Sequence, residues 1–301
     1  MLWQARRPID RFRPDIIHVH GMPYANMFGS FRRTPGVLTV DYFEFRGSHR
    51  RSLHNAYHAF LTRYSVITAV SGYCQREFCA YWPDVPAPTV VPNGVNLEQF
   101  RPDAAAGKMS RRRFGLSADS PVLLYIGRVC AQKGSDTLAE AIPHIQRQIP
   151  NAQVVVAGPA EVFGSNGTSK LIAKIVSNGG TYLGALDDAD LCGAYNMCDA
   201  FVMPTRDAEM FGMALAEAQA CGRPAICSMQ GGLTEVAAAG SALFFPPGDA
   251  VALARTATEM LTDPILREQS GRAAADGSHR FAWSRVARAY RGVYETAVAR
   301  N

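Results

Sequence analysis

Apolar runs of three to six residues, rich in valine and isoleucine, punctuate the chain, and longer stretches of mixed polarity separate them. The runs predict strands at 16–20, 37–40, 66–70, 89–91, 122–127, 153–158, 181–183, 200–203, 224–228 and 242–245. The stretches between them predict helices at 48–64, 134–148, 169–177, 189–197 and 212–220, with two more beyond the last strand at 249–261 and 283–298. Strands that alternate with helices in this way build parallel α/β sheets, because a parallel pair needs a crossover connection. No internal repeat or low-complexity tract breaks the pattern.

One segment does not fit it. Residues 101–120 (RPDAAAGKMSRRRFGLSADS) are polar and rich in alanine and arginine; they follow the turn signal Pro92-Asn93-Gly94 and precede the apolar run at 122–127. This segment reads as a linker between an N-terminal unit of about 100 residues and a C-terminal unit of about 180.

Candidate chemistry concentrates in the second unit. In VLLYIGRVCAQKG (122–134) an apolar strand ends at Gly127-Arg128, and Lys133-Gly134 opens the next helix. Ligands of open α/β sheets bind at the carboxyl ends of strands. Both cations can therefore reach one anion there, and an arginine fork suits phosphate. In MPTRDAEMFGMALAEAQACG (203–222) a strand ends near Pro204, Glu209 follows in the loop, and Phe211-Gly212-Met213 begins a helix that carries Glu217 about two turns in. The unpaired N–H groups of a helix start form an anion site, and a glycine lets a diphosphate approach the backbone closely. The spacing suits one glutamate near sugar hydroxyls and the other near a ribose, with the diphosphate between them.

Taken in order, PDIIHVHG (14–21), ITAVSGYCQREF (67–78), VVPNGVNLEQFRP (90–102), LLYIGRVCAQKG (123–134), the long segment 182–226, GGLTEV (231–236) and FFPPGD (244–249) resemble glycosyltransferase family 4, the retaining GT-B transferases. The resemblance implies an α/β fold of GT-B type, with two Rossmann-like domains. Their expected bounds are 1–105 for an incomplete acceptor-side domain and 106–282 for the nucleotide-sugar domain, with a last helix at 283–301 crossing back to the first. It also implies that Arg128 and Lys133, with Gly127, hold the donor diphosphate. Glu209 would contact the donor sugar, Glu217 the ribose, and the amides of Phe211, Gly212 and Met213 the phosphate. Leu186 and Asp188 would line the donor site, where an acid reads a guanine edge in some members. The expected donor is a UDP- or GDP-sugar and the acceptor a hydroxyl of a glycan or lipid-linked molecule, with no metal and no other cofactor. Asp188-Ala189-Asp190 has the form of a metal-binding pair, but its place at a helix start favours capping and first-turn acids.

Two departures from the family pattern stand out. Only 13 mostly polar residues precede Pro14, where members carry a further strand and a glycine-rich loop. Asp41 stands at a strand end where many relatives place a histidine near the reacting sugar. His20 is another strand-end histidine and is a catalytic candidate beside Glu209, with a structural role as its alternative. His18 points to the same side of its strand, further from the end. An alternative whole-chain reading is a truncated or non-catalytic homologue that binds nucleotide sugar or serves as a partner subunit. A nicotinamide-dependent dehydrogenase is the third and weakest reading, because no G-x-G-x-x-G follows a predicted strand.

Charge and cysteine content refine this picture. Net charge is +5, yet residues 1–63 hold ten arginines and no lysine against four acids. This bias suggests peripheral contact with an anionic membrane, whereas no nucleic-acid motif accompanies it. Seven cysteines without metal spacing, no long apolar run and no apolar leader point to a cytoplasmic protein with free thiols.

Overall fold

The computed structural model describes residues 11–21, 34–41, 51–160 and 167–300. Of the N-terminal arginines, Arg6, Arg7, Arg32, Arg33, Arg46 and Arg50 lie outside the described residues, so the membrane-facing reading rests on positions not described here. The chain divides into two units, Met1–Gly94 with Trp283–Asn301, and Val95–Ala282.

In the first unit β1 (Ile17–His20), β2 (Gly36–Val40), β3 (Val66–Ala69) and β4 (Thr89–Val90) form a parallel sheet in chain order. Ile17 pairs with Gly36, Val37 with Val66 and Thr68 with Thr89. Helices α1 (Arg51–Leu61) and α2 (Gly72–Tyr81) belong to the connections. Every residue of β2 is buried, as expected of an inner strand in a parallel sheet. Helix α2 was not predicted. Ser71 is its N-cap, with Oγ accepting from the Cys74 amide at 3.0 Å.

The second unit opens with α3 (Ala104–Arg113). The expected linker at 101–120 is therefore helical over half its length and part of the second unit. Asp103 caps the helix by accepting from the Ala106 amide at 2.9 Å. Then follow β5 (Val122–Ile126), α4 (Ser135–Gln148), β6 (Gln153–Ala157), α5 (Thr168–Ser177), β7 (Thr181–Tyr182), α6 (Asp188–Met197) and β8 (Ala200–Met203). After these come α7 (Met213–Ala220), β9 (Ala225–Ser228), the single turn α8 (Leu233–Val236), β10 (Ala242–Phe245), α9 (Ala250–Thr262) and α10 (Pro264–Ser278). All six strands are parallel, in the order β10-β9-β8-β5-β6-β7. Leu123, Val154, Val156, Val202, Ile226 and Phe245 of the sheet pack with Leu138, Ile142 and Ile145 of α4 and Leu253 and Met260 of α9.

The last helix, α11 (Trp283–Ala299), lies in the first unit. Its buried Val286, Val293 and Ala297 repeat at helical spacing and pack on Val37, Val66 and Val91. At its start the Trp283 ring occupies the space of a side chain at Gly94, where a Cβ would lie 2.5 Å from the indole.

All ten predicted strands are present, with ends within a residue of expectation. Among the helices with described bounds, α2, α3, α8 and α10 were not predicted. Helices α3 and α10 lack an apolar stripe and pack through small residues. A Cβ on Gly107 would lie 2.3 Å from the Asn196 carbonyl oxygen, and one on Gly271 would lie 2.8 Å from that of Gly222.

Candidate active site

The strand order of the second unit reverses between β5 and β8, which are neighbours although β6, β7 and three helices of chain separate them. At such a switch point the connections leave in opposite directions, and the carboxyl ends of the two strands frame a crevice. Gly127 and Arg128 follow β5, and Pro204 follows β8.

The loop after β5 is held against the end of β8. A short 3₁₀ turn, Ala131–Lys133, ends at Gly134, whose φ is +72°. A Cβ on Gly134 would stand 1.7 Å from the Pro204 carbonyl oxygen, so only glycine fits both the dihedral and the contact. Thr205 Oγ1 and the Arg206 amide both donate to the Gln132 carbonyl, at 3.1 and 3.0 Å. Buried Tyr125 donates its hydroxyl to the Arg128 carbonyl at 2.7 Å, and burial pushes this phenol well up. The Arg128 side chain is exposed and makes no ion pair among the described residues.

The loop after β8 brings the two predicted opposite charges together: the Lys133 ammonium pairs with the Glu209 carboxylate. Behind Glu209 runs Gly231-Gly232, which follows β9. The Gly232 amide donates to the Glu209 carbonyl at 2.7 Å, and a Cβ on Gly231 would be 2.4 Å from that same oxygen. In the sequence this glycine pair stood out only within GGLTEV (231–236) and was given no role, although two glycines just past a strand signal close backbone approach.

Helix α7 starts at Gly212, with φ +99° and no side-chain cap. Its first amides, from Met213 to Leu215, are thus the unpaired donors of a helix start. The ring of Phe211 is buried edge-on against Phe281 at 5.2 Å, which leaves its backbone as the part able to meet a ligand. Met213 is exposed.

Glu217 lies deeper, with Oε2 accepting from the Tyr195 hydroxyl at 2.7 Å. Burial raises its pKa, and the negative charge of Asp188 adds to the rise. Tyr195, which the sequence reading did not single out, is fully buried between Phe100 and Phe201. Leu186 and Asp188 come from the loop after β7 and the start of α6. Asp187 is the cap of α6, accepting from the Asp190 amide at 2.9 Å, while Asp190 pairs with Arg113. The acids at 187–190 thus act as cap and first-turn charges. No group of three His, Cys, Asp or Glu side chains suited to a metal is present among the described residues.

In the first unit, His20 is exposed at the end of β1. Its ring stacks on His18 with centroids 4.4 Å apart. His18 is bound on both nitrogens, Nδ1 to the Tyr294 hydroxyl at 2.9 Å and Nε2 to Thr39 Oγ1 at 2.7 Å. Thr39 continues the network to Thr68 at 2.7 Å and to Tyr290 at 3.1 Å. Burial first, then the neighbouring His20, push the His18 pKa down to about 4. Nothing in the sequence pointed to the tyrosine partners, because they lie far along the chain, on α11.

Comparison with known proteins agrees with this geometry. The family model described as Glycosyl transferases group 1 matches residues 108–276, and that described as Glycosyltransferase Family 4 matches residues 1–99. A GDP-mannose-dependent monoacylated alpha-(1-6)-phosphatidylinositol monomannoside mannosyltransferase of Corynebacterium glutamicum is 31% identical over 219 residues, covering 70% of this chain and 57% of that protein. A D-inositol 3-phosphate glycosyltransferase of Streptomyces bingchenggensis is 33% identical over 228 residues, covering 72% and 50%. The chain thus spans about half the length of the curated relatives it matches. Among solved structures, sucrose-phosphate synthase from Thermosynechococcus elongatus superposes with a TM-score of 0.84 at 23% identity, covering all of this chain and 78% of that one. Anabaena HepE in complex with UDP and glucose gives 0.85 at 20% identity, covering 98% and 80%. These two likenesses bear on fold alone. With one family model spanning more than half of the sequence and the doubly wound second unit beneath it, the chain belongs to the glycosyl transferases group 1, with the GT-B architecture of glycosyltransferase family 4.

Proposed function

We propose that the protein moves a hexosyl group from a UDP- or GDP-sugar to a hydroxyl of a glycan or lipid-linked acceptor, with retention of configuration and without a metal. The observation that carries this reading is the meeting of Lys133, Glu209 and the uncapped start of α7 at the switch point between β5 and β8. Bond cleavage at the sugar carbon leaves negative charge on the terminal phosphate of the nucleoside diphosphate. Arg128, Lys133 and the α7 amides are fixed donors for that charge, the role a metal ion would otherwise fill.

In the free protein Glu209 holds Lys133. An arriving diphosphate competes for the ammonium, and the carboxylate it releases becomes an acceptor for sugar hydroxyls. Glu217, kept in place by Tyr195, supplies a second acceptor for the ribose. His20, exposed at the end of β1, is proposed as a second catalytic group. One relative bears on the choice of donor, being described as GDP-mannose-dependent. The seven cysteines are all free, which fits a cytoplasmic site of action at the inner face of the membrane when the acceptor is lipid-linked. No helix among the described residues is long and apolar enough to cross a membrane.

The test is donor turnover with UDP-glucose and with GDP-mannose, in the presence and absence of EDTA, with the anomeric configuration of the product read by NMR. Release of nucleoside diphosphate from one donor, unchanged by EDTA and with a retained anomer, is expected. Inversion, or loss of turnover on chelation, would contradict the mechanism. Saturable donor binding without turnover would select the non-catalytic alternative.

A further inference from the structure

A cavity of about 660 Å³ lies wholly within the second unit, at the other end of its sheet. It is lined by Pro121, Asp199 and Arg223, which immediately precede or lie just ahead of β5, β8 and β9, whereas the site above follows the carboxyl ends of β5 and β8. Five cations surround it: Lys108, Arg111, Arg112, Arg223 and Arg267. The lining acids are Asp119 and Asp199, which leaves a formal excess of positive charge.

The competing explanation is that these cations only cap helix ends, and for one of them that suffices. Arg111 is fully engaged: it donates to the carbonyls of Met197, Ser117, Ala118 and Ser120 and pairs with Asp199 at 2.7 Å. That pairing also removes Asp199 as a counter-charge. Arg223 donates Nε to the Cys221 carbonyl and Nη1 to that of Cys198, and Arg267 donates Nη1 to Leu261. These bonds spend only part of each guanidinium and fix its place at the ends of α7 and α9. Lys108 and Arg112 are exposed on α3 and have no partner among the described residues. Capping therefore accounts for how two arginines are anchored, but not for the donors left over nor for the two extra charges.

We propose that this cavity is a second anion site, which takes a phosphate-bearing ligand. Anchored arginine forks with spare N–H groups suit phosphate oxygens, and the volume falls within the ~300–1,000 Å³ of small-molecule sites. Lys108 and Arg112 supply charge at its rim. The phosphate can belong to a soluble phosphorylated compound or to a lipid headgroup, and the test separates the two.

The experiment uses the full chain carrying Arg128→Ala, which weakens the diphosphate site at the other end of the sheet. Calorimetric titration with inorganic pyrophosphate is expected to reveal one saturable site, weakened at least tenfold when Lys108→Glu and Arg112→Glu are added. Both positions are exposed, and circular dichroism checks that the variant folds. Co-sedimentation with phosphatidylglycerol vesicles that pyrophosphate reverses would identify a lipid headgroup as the ligand. Pyrophosphate binding without vesicle binding would identify a soluble phosphate. Absence of a saturable pyrophosphate site in the Arg128→Ala chain, or binding unmoved by the charge reversals, would overturn the proposal.

Discussion

Lys133 and Glu209 are both largely shielded, with side-chain exposures of 25% and 19%, yet each must give up the other when a donor binds. A partly exposed pair of this kind contributes up to ~1 kcal/mol. Glu209→Gln should therefore leave nucleoside diphosphate affinity unchanged, or tighten it by up to about fivefold, while transfer is abolished. Affinity falling tenfold would place Glu209 in phosphate binding instead. Arg128 has no ion-pair partner among the described residues, so Arg128→Ala should weaken nucleotide binding by ~1–3 kcal/mol, read by titration. His18 gives a pH signature in the first unit. Its folded pKa, about 4, lies below the ordinary 6.5, so the unfolded chain binds the proton more readily. The resulting stability is present above pH 6.5 and is lost as pH falls toward 4. Thermal melts across that window should show the loss, and it should flatten in His18→Gln. Sequence reasoning could single out the charged residues of the candidate site because strand-end cations and helix-start glycines leave a local pattern. It could not find Tyr195 behind Glu217, or Tyr290 and Tyr294 beside His18, because those partners are brought in by tertiary packing.

At the scale of elements, the site depends on loops packed backbone to backbone. Gly134→Ala forces a Cβ into the Pro204 carbonyl at φ +72°, and should both lower the melting temperature and weaken nucleotide binding. Gly115 is the control: its φ is +68° but nothing lies within 4 Å of its Cβ position. Gly115→Ala should therefore cost only the dihedral strain, ~1 kcal/mol, with binding unchanged. Equal effects at the two positions would mean that the contact between the β5 and β8 loops does not shape the site. The same contrast explains which elements could be read in advance. Strands such as Val122–Ile126 and Gln153–Ala157 are near-continuous apolar runs because both faces of the sheet are covered. Helix α4 announced itself through its amphipathic spacing. Helix α3 did not, because AAAGKMSRRR offers no apolar stripe; Gly107 against Asn196 and the reach of Arg111 to Met197 and Asp199 hold it in place.

On the scale of the molecule, the first unit is assembled from two distant parts of the chain. Val286, Val293 and Ala297 of α11 complete a core with Val37, Val66 and Val91, and the tyrosines of the same helix satisfy His18. Truncation after Ala282 should therefore unfold the first unit, with rapid proteolysis within residues 1–94, while nucleoside diphosphate binding by the second unit persists. Loss of binding together with the first unit would show that the second unit does not hold the donor alone. This dependence was legible only through family resemblance, since no local pattern in 283–298 names its packing partner.

The proposed activity turns on nucleotide-sugar binding by the second unit at the switch point between β5 and β8. The direct measurement is calorimetric titration of the chain with UDP, GDP, UDP-glucose and GDP-mannose in metal-free buffer, repeated with Arg128→Ala. Saturable binding of one nucleotide class, weakened at least fivefold by the substitution, is the predicted result. Failure of all four to bind, or binding that Arg128→Ala leaves untouched, would contradict the account.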